Sequence, residues 1–300
     1  IKVKITKKKD KITFDFSGSS QQVSGNLNLT LNATQSAVCF ALKALLDPDI
    51  PNNQGIFDAI EIRAELGSFL NCKAPAAVAM RANTCQRVID VVFGALAKIL
   101  PNQVVAAANG ANTSAVFAGY DPRNGQRYVY LETLGGGMGG RASKDGKDGV
   151  QVNITNTSNL PVEAIETEYP LRVEEYTFVR DSGGAGKNRG GLGIRRSIRP
   201  IGHSCEFNGV GERFKYKPWG LFGGKSGATG KFFLEGPNEE IIKLPSKATG
   251  VKLEPNYRAV IETPGAGGYG LPSERSEENI KKDLKSGKFS EKFIAKYYKN

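Results

Sequence analysis

The chain has 300 residues, a formal net charge of +11 and 36 glycines. With 39% hydrophobic and 24% charged residues, it has the composition of a folded globular protein rather than a disordered one. Its length allows one large domain or two of ordinary size. The glycines follow no fixed period, which excludes collagen-like and solenoid repeats and favours a structure rich in loops and tight turns.

The positive charge does not indicate a nucleic-acid partner. Basic residues are densest near the two ends of the chain, and the C-terminal run is interleaved with acidic residues, as a solvated helix face would be. The chain lacks the aromatic and basic alternation typical of single-strand binding. We therefore expect no nucleic-acid partner. The two runs are Lys7, Lys8, Lys9, Lys11 and Lys281, Lys282, Lys285, Lys288, Lys292, Lys296, Lys299, the second interleaved with Glu277, Glu278, Asp283 and Glu291.

The cysteines and the apolar segments indicate the compartment. The four cysteines are widely spaced and form no CxxC pair, which argues against a zinc site or a disulfide framework. No apolar stretch reaches the roughly 18 residues of a membrane span. We expect a cytoplasmic protein with reduced thiols and no membrane association. Because the sequence opens with IKVKITKKKD and no Met, we also expect it to be the later part of a longer polypeptide.

The first third predicts a mixed segment with two core helices. Residues 12–16 alternate apolar and polar, the period of a half-buried strand. The stretch TQSAVCFALKALL predicts a helix over 34–46, with Asn32 or Thr34 as its N-terminal cap. An extended segment is predicted over 56–71. A second helix is predicted from Thr84, because apolar residues form a stripe from Val88 to Ile99, and Pro101 should end it.

The remaining chain predicts mostly strands and loops. Strands are expected in SAVFAGYD, RYVYLET, VQVNI, the start of YPLRVEEYTFVR and YRAVIET, and a hairpin in KFFLEGPNEEIIKL. Strands and helices do not alternate regularly, so we predict the α+β class rather than a doubly wound sheet. The expected segments are a mixed region over 1–109, a β-rich, glycine-loop region over 110–270, and a basic helical tail over 271–300.

The glycine-rich loops do not fit a nucleotide site. GxGxxG occurs twice, at Gly135 and Gly265, but neither copy leads into a helix whose N-terminus would hold a pyrophosphate. The segments GLFGGKS and GGAGKN each miss the spacing or the hydroxyl residue of a P-loop. His203 is the only histidine, so the chain offers no histidine-rich metal site.

Long motifs in order along the chain resemble the hydantoinase B/5-oxoprolinase family. They are GNLNLTLNATQSAV, GSFLNCKAPAAVAMRANTCQRVIDVVFGAL, TNTSNLPVEAIETEYPLRVEEYTFVRDSGGAGKNRGGLGIRR, PWGLFGGKSGATG and TPGAGGYGLPSERSEENIKKDL. Together they span nearly the whole sequence. The resemblance implies that DSGGAGKNRGGLG is a shaped loop of that family rather than a nucleotide cradle.

The resemblance also implies partners and cofactors. In such enzymes ATP and Mg²⁺ are held by an A-type subunit, or by a fused A domain, while the B-type subunit governs attack on the activated substrate. Family members carry a divalent-metal constellation of His and Asp residues in an N-terminal half that has no counterpart here, so we expect this segment alone to bind no cofactor. The expected assembly is a hetero-oligomer with a hydantoinase A-type subunit.

Candidate site residues come from the glycine loops and the segment between them. Arg141 and Arg189 are candidates to hold a phosphorylated intermediate, and Asn153, Asn156 and Thr157 are candidates to orient an amide. A structural role in a turn or strand is the alternative for each. Further candidates to line the substrate or intermediate are Gly137, Asp181, Ser182 and Gly184, and the catalytic residues themselves are not identified by the sequence.

The expected function is ATP-dependent ring opening of a small cyclic amide, such as 5-oxoproline or a hydantoin. Two alternatives stay open. One is a subunit of an ATP-dependent acetone or acetophenone carboxylase, which is related to the same family. The other is a purely structural role in assembly.

Because none of the glycine loops satisfies the context of a nucleotide site, we predict that the isolated chain does not bind ATP tightly. Isothermal titration calorimetry of the chain alone should give no measurable heat of ATP binding. A dissociation constant in the micromolar range would contradict the prediction.

Overall fold

The computed structural model describes residues 1–110 and 112–298, which form two compact units, Ile1–Val104 and a second that begins at Val105. Within these residues the chain has six α-helices and three sheets, which confirms the α+β class. The expected boundary at residue 109 lies slightly beyond the observed one, and the expected tail belongs to the second unit. Lys299, in the basic run, lies outside the described residues.

A small sheet opens the first unit. Strands β1 (Lys4–Lys8) and β2 (Lys11–Asp15) are antiparallel, and β2 is parallel to β3 (Ile60–Arg63). The alternation predicted for 12–16 is confirmed, because Phe14 and Phe16 are fully buried. The extended prediction over 56–71 is only partly right. Its start lies in helix α2 (Gln54–Asp58), because the Asn53 side chain accepts a hydrogen bond from the N–H of Gly55 and caps the turn.

Both predicted core helices are present. Helices α1 (Leu31–Leu46) and α3 (Arg81–Leu96) pack against each other through stripes that include Val38, Leu42, Val88 and Val92.

The predicted starts of these helices were wrong by a few residues. Thr30 caps α1, whereas the hydroxyl groups of Thr34 and Thr84 donate to the carbonyls of Leu70 and Leu27. Thr34 therefore lies inside α1 and does not cap it, and α3 begins three residues before Thr84. At its other end α3 stops at Leu96, so Ile99 lies outside the helix and is exposed.

The second unit contains two antiparallel sheets that share one core. The five-stranded sheet has the order β10-β9-β12-β7-β6, and the four-stranded sheet has the order β11-β8-β4-β5. Phe117 and Phe207 from the smaller sheet pack with Phe232 and Ile261 from the larger one. The strands are β4 (Thr113–Tyr120), β5 (Arg127–Leu134), β6 (Leu171–Phe178), β7 (Ile194–Pro200), β8 (Cys205–Val210), β9 (Lys231–Glu235), β10 (Ile241–Leu244), β11 (Lys247–Leu253) and β12 (Arg258–Glu262).

Most strand predictions in this unit are confirmed. The strand pair β4–β5, the hairpin β9–β10, and strands β6 and β12 lie where the alternation placed them. The strand predicted for VQVNI is wrong, because Val150 makes a single bridge to Gly136 and the chain then leaves as a loop. The short helix α4 (Val162–Glu168) and strands β7, β8 and β11 were not predicted.

The tail is helical, as predicted, and it packs on the second unit. Helices α5 (Glu277–Lys285) and α6 (Glu291–Tyr297) begin at the capping side chains of Ser276 and Ser290. Phe289 and Ile294 form a small buried cluster with Leu192. The tail is therefore attached to the glycine-rich part of the chain.

All four cysteines are free, and Cys39, Cys85 and Cys205 are buried. Burial raises the pKa of these three thiols to about 11. The prediction of unbridged thiols is confirmed. Across residues 1–110 and 112–298, no helix has both the length and the apolar character that a membrane crossing requires.

Candidate functional site

Three glycine-rich segments, 135–140, 183–193 and 264–270, lie side by side and are hydrogen-bonded backbone to backbone. We call them the glycine frame. Gly137 N–H donates to the carbonyl of Pro264 (3.1 Å), and Gly191 N–H donates to that of Met138 (2.9 Å). Gly184 N–H donates to the carbonyl of Ala266 (2.7 Å). Every pair of segments is thus joined directly.

The frame is packed too closely for side chains. A Cβ atom added to Gly137 would lie 2.2 Å from the carbonyl oxygen of Gly191. At Gly184 the corresponding distance to the Lys225 oxygen is 2.1 Å, and at Gly190 the distance to the Ala266 oxygen is 2.0 Å. Backbone atoms held by their own hydrogen bonds cannot move aside as the end of a side chain can. The density of glycine therefore reflects close backbone packing, which argues against a flexible linker.

Most of the N–H groups of the loop 183–193 are already used inside the protein. Lys187 and Asn188 donate to the carbonyls of Gly270 and Tyr269, and Gly190 donates to that of Gly184. Side chains accept hydrogen bonds from several of the others. The N–H groups of Gly186 and Gly193 donate to the hydroxyl groups of Tyr298 and Ser182, and those of Arg189 and Leu192 donate to the carboxylates of Asp145 and Asp148. A phosphate cradle or oxyanion hole needs N–H groups that point at the ligand. These N–H groups do not serve that purpose.

Two buried arginines and three aspartates hold the frame to the tail. The Arg189 guanidinium contacts Asp148 (Nη1 to Oδ1, 2.7 Å) and Asp283 (Nε to Oδ1, 3.1 Å). The Arg275 guanidinium contacts Asp145 (Nη1 to Oδ1, 2.7 Å) and Asp283 (Nη2 to Oδ2, 2.6 Å). The arginine side chains are 5% and 1% exposed. We call these five residues the charged brace.

The arginines of the charged brace stabilise the ionised form of its aspartates. Burial by itself raises the pKa of Asp145 and Asp148, but the hydrogen bonds and charge of Arg275 and Arg189 outweigh this effect. The net result is that the pKa of both carboxyl groups lies below its ordinary value. Both side chains are therefore ionised at neutral pH. Removing Arg189 would leave Asp148 paired only with Lys288 and Asp283 paired only with Arg275, which weakens the compensation of these buried charges.

Several predicted site residues make structural contacts around the frame. The Asp181 carboxylate accepts hydrogen bonds from the N–H and hydroxyl of Ser290 (both 2.7 Å) and so holds the start of α6. The Ser182 hydroxyl donates to the Val179 carbonyl (2.6 Å) and accepts from Gly193 N–H. Together with Arg189, these residues secure the loop.

The other candidates lie at the next glycine segment and the loop that follows it. The Arg141 Nη2 atom donates to the Asp145 carbonyl (2.8 Å), and the Arg141 carbonyl accepts from the Asn188 side chain (2.8 Å). Asn153 lies on the following loop with a φ of 53°. Asn156 and Thr157 are exposed on the same loop. The structure thus places Gly137, Arg141, Asp181, Ser182, Gly184 and Arg189 around one frame, while Asn153, Asn156 and Thr157 leave it.

Enclosed polar atoms mark the place where that loop leaves the frame. The Gln151 amide nitrogen donates to the Thr133 carbonyl (3.2 Å), whereas its oxygen has no hydrogen-bond partner within the described part of the chain. The same holds for the hydroxyl groups of Thr113 and Thr133 and for Nε of Arg141. Unsatisfied buried polar groups are uncommon, so this end of the β4–β5 pair is the candidate place for an additional ligand or segment.

Sequence reasoning did not identify the aspartates of the brace. Asp145 and Asp148 lie in the turn-like stretch KDGKDG, and Asp283 lies in a helix whose other charges face solvent. Only the burial of Asp283 distinguishes it from its neighbours. Within the described residues, no three His, Cys, Asp or Glu side chains are placed to hold a metal ion. The divalent metal implied by the resemblance does not fit this part of the chain.

The fold is one that larger enzymes contain. The ATP-dependent caprolactamase of Pseudomonas jessenii superposes with a TM-score of 0.89 and 23% identity, over 99% of this chain and 53% of that one. An acetone carboxylase in its nucleotide-free state superposes with a TM-score of 0.85 and 18% identity, over 99% of this chain and 44% of that one.

Sequence comparison identifies the family. Residues 1–272 match the family model described as hydantoinase B/oxoprolinase. An uncharacterized protein of Methanocaldococcus jannaschii is 42% identical over 100% of this chain and 52% of its own length. A 5-oxoprolinase of Pestalotiopsis fici is 35% identical over 91% of this chain and 21% of that protein. The B-type subunit of a putative D-/L-hydantoinase from a Pseudomonas strain is 33% identical over 99% of this chain and 51% of that protein.

The chain belongs to the hydantoinase B/oxoprolinase family, which confirms the resemblance drawn from the motifs. It spans about half the length of the archaeal relative and of the Pseudomonas protein, and about a fifth of the fungal 5-oxoprolinase.

We predict that Gly184→Ala destabilises the second unit by about 3 kcal/mol or more, because the new methyl group meets a backbone oxygen. The matched control is Gly202→Ala. Gly202 has a φ of 72° but open space around it, so alanine should cost only about 1 kcal/mol of backbone strain. Urea unfolding of both variants measures the difference. Equal losses would show that the frame tolerates a side chain.

We predict that Arg189→Ala lowers the stability of the second unit, since the ion pairs of this side chain brace the frame. Breaking a buried ion pair costs about 3–5 kcal/mol. The exposed Arg172→Ala is the control and should leave the melting temperature unchanged. A melting temperature of Arg189→Ala equal to that of the wild type would contradict this structural role.

The charged brace should also make the stability of the second unit depend on pH. Because the folded pKa of Asp145 and Asp148 is depressed, their contribution is complete above the unfolded pKa of about 3.9 and is lost as the pH falls through the folded value. The melting temperature should therefore fall steeply below about pH 4 in the wild type and less steeply in Arg189→Ala. Parallel profiles in the two proteins would contradict this assignment.

Proposed function

We propose that this chain is part of a cytoplasmic, ATP-dependent enzyme that opens a small cyclic amide, in the manner of a 5-oxoprolinase or hydantoinase. The observation that carries the proposal is the 33% identity to the B-type chain of a putative D-/L-hydantoinase along 99% of this chain. The 35% identity to a 5-oxoprolinase supports the same substrate class. In this proposal ATP and Mg²⁺ bind to a hydantoinase A-type subunit, and the two chains form a hetero-oligomer.

The frame would give such an enzyme a rigid scaffold. Its segments are joined by hydrogen bonds between backbones and braced by buried ion pairs, so residues attached to it are held in fixed positions. The loop that begins after Val150 leaves the frame at its bridge to Gly136. We assign this loop, with Asn156 and Thr157, to the substrate side of the scaffold, because exposed amide and hydroxyl groups can pair with both the N–H and the C=O of a cyclic amide.

In this proposal the two candidate arginines, Arg189 and Arg141, have different roles. Arg189 is enclosed by Asp148 and Asp283, and its charge is neutralised there. Arg141 is partly exposed, and its Nε atom is enclosed without a hydrogen-bond partner among the described residues. Of the two, Arg141 is therefore the better candidate to approach a phosphorylated intermediate.

A ketone carboxylase is the second candidate function. The superposition on acetone carboxylase keeps it open, although at 18% identity that likeness concerns the fold alone. A purely structural role in assembly is the third, and the structural contacts of Asp181, Ser182 and Arg189 are what favour it.

The test is turnover by the complete complex with an A-type subunit. ATP hydrolysis should depend on 5-oxoproline or a hydantoin and should not be stimulated by acetone or acetophenone with bicarbonate. Asn156→Ala should lower kcat/KM about tenfold, the equivalent of one lost hydrogen bond of about 1.4 kcal/mol, with an unchanged melting temperature.

The control is Asn256→Ala, which removes another exposed asparagine, outside the frame and the loop. Stimulation by ketones and bicarbonate alone would favour the carboxylase. If Asn156→Ala, Thr157→Ala and Arg141→Ala all kept wild-type turnover, and frame variants changed only the assembly of the complex, the structural role would replace the proposal.

A further inference from the structure

An ion pair joins the two sheets of the second unit beside the loop 151–160. Arg196 of β7, in the five-stranded sheet, contacts Glu132 of β5, in the four-stranded sheet (Nη2 to Oε2, 3.1 Å). Their side chains are 2% and 13% exposed. The Tyr130 hydroxyl donates to the same carboxylate oxygen (2.8 Å). A buried ion pair often stabilises a fold no better than apolar packing does, whereas it fixes the groups around it in one arrangement.

Tyr176 connects this ion pair to the loop. It lies opposite Arg196 in the β6–β7 ladder, and the Arg196 guanidinium lies over its ring, 4.5 Å from the ring centroid. Arginine binds an aromatic face through both its charge and its flat shape. The Tyr176 hydroxyl accepts a hydrogen bond from the side-chain amide of Asn159, near the end of the loop. Tyr176 is therefore held by Arg196 and in turn holds Asn159.

The start of the loop is attached beside the same ion pair. The Gln151 side chain donates to the carbonyl of Thr133 (3.2 Å), the residue that follows Glu132 in β5. The loop is thus attached at Gln151 and at Asn159. The exposed residues 156–158 lie between the two attachments.

We propose that Arg196 and Tyr176 are positioning residues for the loop 151–160. Arg196, fixed by Glu132, holds the Tyr176 ring, and the Tyr176 hydroxyl holds Asn159, so the loop keeps one conformation between its attachments. The importance of these residues for turnover rests on the proposed function, which places the substrate at this loop. A loop that is ordered in advance costs less entropy when a substrate binds. Loss of the attachment should therefore weaken substrate binding rather than the chemical step.

Electron paramagnetic resonance of a spin label on the loop tests the attachment without turnover. The label is placed at Ser158→Cys in the 300-residue chain with Cys72→Ser, since the other three cysteines are buried. Its motion should be restricted in this parent protein. In Tyr176→Phe, which removes only the hydroxyl group, the ratio of mobile to restricted label should rise about fivefold, as expected for one lost hydrogen bond. Melting curves establish that each variant is folded.

Two further variants separate the hydroxyl group from the ion pair. Tyr257→Phe is the matched control and should leave the spectrum unchanged, because the Tyr257 hydroxyl donates to the exposed Glu240 in the turn between β9 and β10. Arg196→Lys keeps a positive charge near Glu132 but loses the flat group over the Tyr176 ring, so it should also mobilise the label. A label already mobile in the parent, or a parental spectrum in Tyr176→Phe or in Arg196→Lys, would overturn the proposal.

Turnover by the complete complex then tests the consequence for catalysis. Tyr176→Phe should raise the KM for the cyclic amide about fivefold, with kcat and melting temperature close to those of the wild type. A lower kcat with an unchanged KM would indicate less active enzyme and would contradict a positioning role. If the complex turns over no cyclic amide, the proposed function fails, whereas the label spectra still decide whether Arg196 and Tyr176 hold the loop.

Discussion

The second unit depends on the close approach of peptide backbones in the glycine frame. Three segments far apart in the chain bond directly through their N–H and C=O groups, and hydrogen atoms occupy the positions where side chains would otherwise separate them. Since glycine has no Cβ, its backbone can meet carbonyl oxygens at distances that any other residue would block. Such packing loses more chain entropy on folding than a sheet of larger residues, so it needs stabilisation from outside the frame.

That stabilisation comes from the charged brace and the tail. Arg189 belongs to the frame, whereas Arg275 and Asp283 follow it in the tail. Both tail residues lie beyond the region matched by the family model, which ends at residue 272. Phe289 also packs on Leu192. Buried charges are costly unless each is paired, and here the carboxylate of Asp283 is shared by both guanidinium groups. The tail therefore completes the frame.

The loop 183–193 has mainly a structural role in the frame. Most of its N–H groups are bound within the protein, and its arginine is neutralised by aspartates, so the loop mainly holds other groups in place. Some of the buried polar groups that lack partners among the described residues, those of Thr113, Thr133 and Gln151, lie where a polar loop leaves the frame. In this chain, which covers about half of a related hydantoinase chain, the frame is the rigid element from which that loop leaves.

The sequence by itself determined the family, the α+β class and the elements with strong periodicity, such as the helix around Val88 and the β4–β5 pair. These depend on local patterns of apolar residues, which the sequence displays directly. The cap predicted for α1 was misplaced, because the Thr34 hydroxyl binds the distant carbonyl of Leu70 and Thr30 is the cap. Only the tertiary structure decided the role of Arg189, because its partner Asp283 is 94 residues away. Whether a charged residue meets a ligand or a buried counter-charge depends on contacts between distant segments, and local sequence does not encode them.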